Sequence, residues 1–153
     1  MSLAIKGIAG GADNQYPAFA ARNSASQNVT SGVATIILFG TAIFDTNNNF
    51  ASNRFTASIA GYYQFNGTIR GTATSLTHSS AYLYKNGVIY SQGVVINTAA
   101  ISGTIGVSVS EVVHLNVGEY VELWGLVNGT SPSFNFTDSA ICCKFSGCLL
   151  RPD

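Results

Sequence analysis

A chain of 153 residues is long enough for one domain that buries roughly two-thirds of its unfolded surface without help from disulfides or metal. Only 9% of the residues are charged, seven basic and seven acidic, and they are scattered singly. That excludes a nucleic-acid binder, which needs clustered Lys and Arg to displace counterions, and a polybasic anchor for anionic lipid.

The hydrophobic share is near normal at 46%, so Ser, Thr, Asn and Gly stand where charge is missing. These are weak helix formers that suit strands and turns. In chain order, residues 1–16 (MSLAIKGIAGGADNQY) read as a glycine-rich leader or linker, without the continuous apolar core of a signal peptide. Residues 17–23 (PAFAARN) are short and extended, and residues 33–39 are apolar and rich in β-branched side chains. The longest apolar run, residues 34–44, is about half a membrane-spanning helix, so no membrane insertion is expected. A polar turn at residues 45–49 (DTNNN) precedes an alternating strand at 54–58. Residues 62–70 (YYQFNGTIR) set Tyr63, Phe65 and Ile69 against Gln64, Asn66 and Arg70, and Gly67 is expected to mark a bulge.

A strand at 80–84 enters Lys85, Asn86 and Gly87, and Asn-Gly is a strong hairpin signal because both residues tolerate positive φ. The return strand is 88–90, followed by strands at 94–96 and 105–115, a turn at 116–118 and a strand at 119–127. Residues 128–132 read as a loop and 139–150 as the last strand. About ten strands without a helical stripe predict an all-β sandwich or barrel, one domain over residues 17–153.

Little here points to catalysis. His78 and His114 are isolated, and there is no Gly-x-Ser-x-Gly elbow. Glu119 and Glu122 are three apart on a strand and face opposite sides, so they form no facing carboxylate pair. Cys142, Cys143 and Cys148 lack paired metal spacing, and Cys142 and Cys148 would stand roughly 20 Å apart on an extended strand, too far for a disulfide. They read as small buried hydrophobes. Asp45 among asparagines reads as a turn former; a calcium site there lacks regular acidic spacing, so no cofactor is expected. Asn-x-Thr sequons at Asn28, Asn66, Asn128 and Asn135 follow from abundant Asn and Thr in turns and strands.

The aromatic spacing carries more. Phe39 and Asp45 are separated by five residues, Asp45 and Phe50 by four, and Phe55 and the Gly61-Tyr62-Tyr63-Gln64-Phe65 run by five. Phe19 in PAFAA opens this series, Phe44 lies inside it, and Phe145, Gly147 and Leu149 close it in FSGCLL. Together with the Lys85-Asn86-Gly87 hairpin and the LNVGEYV run from Leu115, these motifs resemble the complement C1q globular-head family, which shares a jelly roll with tumour-necrosis-factor-like ligands. The resemblance covers about residues 17–151. Phe50 and Phe55 stand closer than the pattern expects, and Gly67 replaces an expected aromatic.

The resemblance implies a ten-stranded jelly-roll sandwich assembling head to tail as a homotrimer. In it Phe19, Phe39, Phe44, Phe50, Phe55, Gly61, Tyr63, Phe65, Phe145, Gly147 and Leu149 form the signature core. The asparagine-rich FDTNNNF is similar to heads on phage tail fibres and bacterial surface proteins. The expected role is a non-enzymatic recognition head for a host-surface glycan or protein, on a virion appendage or a cell surface. A structural trimerisation or capping module is the alternative. Candidate recognition residues lie in loops, at Asn47, Asn48 and Asn49, at His78, and at Asn128, Ser131 and Ser133.

Overall fold

The computed structural model describes residues 16–40, 42–137 and 142–153. Its strands are β1 (Ala18–Arg22), β2 (Gln27–Asn28), β3 (Thr35–Ile36), β4 (Ala42–Asp45), β5 (Phe50–Ala51), β6 (Arg54–Thr56), β7 (Gly61–Lys85), β8 (Val88–Leu115), β9 (Tyr120–Phe134) and β10 (Lys144–Pro152). All pairings are antiparallel, in the order β4-β1-β10-β7-β9-β6-β5, with β8 on β7 and β2 and β3 on β9.

The strands at 62–70 and 80–84 are one strand, β7, and those at 88–90, 94–96 and 105–115 are one strand, β8. The Thr- and Ser-rich residues between them are β-permissive, and β7 and β8 stay paired across the whole length. The first half of β7 pairs with β10 and its second half with β9, so one strand serves both layers of a sandwich. The crossing is at a corner where Ser75 takes φ 54 and the ladder shifts between Ala73 and His78. The first layer holds β4, β1, β10 and the halves of β7 and β8 near Gly61 and Leu115. The second holds the other halves of β7 and β8 with β9, β3, β6 and β5.

Alternation decides what fills the space between. Tyr63, Phe65 and Ile69 on β7 and Val121, Leu123 and Val127 on β9 point inward and are fully buried or nearly so. Phe19 is the hub, with Phe50 stacked at 4.8 Å, Phe55 at 5.0 Å and Phe145 edge-on at 5.0 Å. Rings at these separations contribute about 0.5–1.5 kcal/mol per pair beyond their burial. Phe39, Leu149 and the two glycines Gly61 and Gly147 are buried as well.

Phe44 departs from the expected core and is 50% exposed. It pairs with Ala20 on edge strand β4, opposite the outward row of β1, so the ladder's own parity turns it to solvent. Gly67 is no bulge either: pairing runs straight through it to Phe145 and Val109. A Cβ there would strike Leu123 of the facing layer, so clearance between layers accounts for the glycine. Gly61 takes φ +155, where a side chain would collide with the Arg151 carbonyl. At the hairpin Asn86 and Gly87 both take positive φ, 51° and 79°. No described helix is long and apolar enough to cross a membrane. The leader residues before Tyr16 lie outside the described residues.

Candidate functional site

The expected recognition residues separate to opposite ends of the sandwich. Thr46 donates its N–H to the Ala18 carbonyl at 3.0 Å, which fixes the 46–49 turn beside the start of β1. Asp45 caps that turn, its two carboxylate oxygens accepting from Asn49 N at 3.0 Å and Phe50 N at 2.7 Å. Asn49 is buried and donates to Ser58 Oγ at 2.8 Å, so it is structural and unavailable to a ligand. Asn47 and Asn48 remain nearer the surface, with Asn48 at φ 55. This is also the end where the described chain enters and leaves, since Leu149 N donates to the Pro17 carbonyl and Asp153 N to Ala60.

The other candidates meet at the far end. His78 pairs in register with Asn128, and Ser133 with Thr72. Asn128 is eight residues beyond Tyr120, about 26 Å along β9 at ~3.3 Å per residue. Residues 75–79 and 128–133 are not loops but continuous strand turning one shared corner, with Ser75 and Ser131 both at positive φ. Ser31, which sequence reasoning did not single out, joins them: its hydroxyl donates to Asn128 Oδ1 at 2.7 Å and accepts from Gly129 N at 3.1 Å. That partnership spans 97 residues, so no local pattern could announce it.

His78 also anchors a polar row. Its Nδ1 lies 2.7 Å from Asn97 Oδ1 and its Nε2 3.0 Å from Ser80 Oγ. The spacing is that of a nucleophile, base and orienting amide. Ser80, however, is 0% exposed and donates to the Tyr82 hydroxyl at 2.9 Å, so its oxygen cannot reach a substrate. Among the described residues no group of three or more His, Cys, Asp or Glu side chains is placed to hold a metal ion. Glu119 and Glu122 have separate partners, Lys85 at 2.8 Å and Arg54 at 3.2 Å. The hydrogen bond from Lys85, with backbone support at Asn116, draws the Glu119 carboxyl down to about 2. None of the three cysteines is in a disulfide. Cys142 and Cys143 are buried, and burial pushes the Cys143 thiol up to about 11. Cys148 is exposed, against expectation, because its neighbours Gly147 and Leu149 take the inward positions of β10.

Two surfaces stand out beyond those residues. β8 pairs with β7 alone among the described strands, so its other side is open. On it Val88 is 68% exposed and Ile89 55%, and Tyr90, Val94 and Val95 are exposed too. On the outer face of the first layer Ala18, Cys148, Gln64 and Val112 form one cross-strand row. Beside that row Tyr62, Val112, Leu150 and Arg151 line a shallow, mainly apolar dent of about 350 Å³. His114 closes its margin, 3.1 Å from Asp153 and edge-on to Tyr62.

Solved structures with this fold are numerous. The globular domain of zebrafish complement 1qA protein matches over 90% of this chain and 99% of its own, with TM-score 0.67 and 16% identity. Murine APRIL matches over 88% and 99%, with TM-score 0.64 and 8% identity. Eiger TNF from S. frugiperda matches over 90% and 93%, with TM-score 0.64 and 11% identity. No family model and no curated protein matches the sequence. At such identities the likeness carries the fold, an all-β jelly roll of the C1q and TNF type.

Proposed function

We propose that this chain is a non-enzymatic recognition head that assembles head to tail into a homotrimer and binds a host-surface glycan or protein. The open side of β8 carries the reading. An apolar margin on a long strand with one neighbour is a template for uncontrolled pairing unless something covers it. The outer face of the first layer, with its apolar dent, supplies a cover on a second copy. Edge against face is a heterologous contact, and a three-fold rotation closes it into a ring with no margin left open. The low charge of the chain supports the same arrangement, since surface poor in charge is suited to burial between subunits.

Orientation supports recognition at the far end. Anything joined to Tyr16 or Asp153 leaves from the end that holds the 46–49 turn, and His78, Asn97, Asn128 and Ser131 then face outward. The proposed setting is the tip of a fibre or appendage, on a virion or a cell surface. One observation favours the second reading, a structural trimerisation or capping module: Asn128 and Ser31 at that end satisfy each other.

Gel filtration coupled to light scattering tests the assembly, with an expected mass three times the 16.0 kDa subunit. A stable monomer at micromolar concentration overturns it. A glycan array then separates the readings, because a clean trimer without any ligand across a broad array favours the cap.

A further inference from the structure

The outer face of the second layer gathers the single tryptophan of this chain with three of its seven tyrosines. Tyr82 and Tyr84 point outward because Ala81 and Leu83 alternate into the core, and Tyr120 and Trp124 because Val121 and Leu123 do. Tyr84 and Trp124 stack with ring centroids 4.3 Å apart and planes 15° from parallel. The indole N–H donates to Glu122 Oε2 at 3.0 Å, and Arg54 pairs with the same carboxylate while lying 4.2 Å over the Tyr120 ring. Next to the stack, Tyr82 accepts hydrogen bonds from Gln92 at 3.2 Å and from Ser80, and the row continues through His78 to Asn97.

Three physical features point to one kind of ligand. The rings are already fixed by stacking and by hydrogen bonds, so contact with them costs little side-chain entropy. The charges on this face are matched: Glu122 is 4% exposed and held by Arg54 and the indole, so the pair carries no net charge. Open hydrogen-bonding capacity on the fringe is neutral and two-sided, since Gln92 keeps its carbonyl oxygen and Asn97 its amide hydrogens. Aromatic surface with neutral donors and acceptors beside it matches the apolar C–H face and hydroxyl rim of a pyranose ring.

We infer that this strip, from Asn97 through Tyr82 and Tyr84 to Trp124, binds a neutral oligosaccharide. The inference rests on the recognition-head reading and places the ligand on a strand face in addition to the far corner. It leaves the first-layer face free for assembly, because that face is built from other residues, while Gln92 and Asn97 on β8 set the strip directly beside the open margin.

Because Trp124 is the only tryptophan, its fluorescence reports the strip directly. Titration with neutral oligosaccharides of glucose, galactose, mannose and N-acetylhexosamines should give a saturable change for at least one, with an affinity indifferent to salt. By calorimetry Tyr84→Ala and Trp124→Ala should each weaken that binding about tenfold or more, with the trimer and the far-ultraviolet circular dichroism intact. Ile43→Ala, exposed on edge strand β4, should leave it unchanged. No saturable response to any neutral sugar overturns the inference, as does steep loss of binding with salt. Binding abolished by Asn128→Ala and spared by Tyr84→Ala overturns this site while keeping the recognition head. Loss of the trimer in Trp124→Ala makes the strip an interface and also overturns it, whereas a monomeric wild type would fail the head reading itself.

Discussion

Glu119 sits at the start of β9, its carboxylate held by Lys85 Nζ at 2.8 Å and by the Asn116 and Asn86 N–H groups. These contacts favour the charged form and lower its titration from the ordinary 4.5 to about 2. A lowered carboxyl adds stability above its unfolded value, and that stability is lost as pH falls from near 4.5 toward 2. Thermal unfolding followed from neutral pH into acid should therefore show a smaller acid slope for Glu119→Gln than for wild type. The difference should be about 1 kcal/mol or less, since the pair is partly open to water; equal slopes would show the contact to be energetically idle. Lys85 also donates to the His114 carbonyl, so this ion pair ties the β7–β8 hairpin to the far half of β8. The residue pattern alone shows Glu119 on a strand start, but not its partner 34 positions earlier.

β8 belongs to the next scale. Its turn chemistry and apolar residues are readable in sequence, yet its 28-residue length and its single neighbour among the described strands are not. Length depends on continued pairing with β7 past the Ser75 corner, and exposure depends on which strand lies beyond. A lysine on such a margin is the ordinary device against edge pairing. Val94→Lys should consequently reduce the scattering mass from three subunits to one while preserving the strand signal in circular dichroism. A trimer that survives Val94→Lys unchanged would remove β8 from the interface. The signature rings show the same division: alternation correctly buries Phe55 and Tyr63, but Phe44 sits on β4, whose pairing with β1 turns it outward.

For the whole molecule, the cysteines act as reporters. Cys142 and Cys143 are sealed in the monomer, and the raised Cys143 thiol is doubly slow to react. Cys148 lies on the first-layer face that the proposed ring covers. A thiol reagent should therefore find no fast-reacting group in the trimer and one in the Val94→Lys monomer. A Cys148 that reacts as quickly in the assembled protein as in the monomer would mean that this face stays open. The stacked Tyr84 and Trp124 lie on a different layer from Cys148, so thiol reactivity and sugar binding report separate faces.

The order of residues by itself determined the strand-rich class, the Asn86-Gly87 hairpin and most of the aromatic core, because alternation and turn preference act between near neighbours. Only tertiary structure decided that five expected strands merge into two, that Asn49 is buried while Ser31 meets Asn128, and that four aromatic side chains share one outer face. Those facts come from registers between segments tens of residues apart, and no local preference encodes which row of one strand faces which row of another.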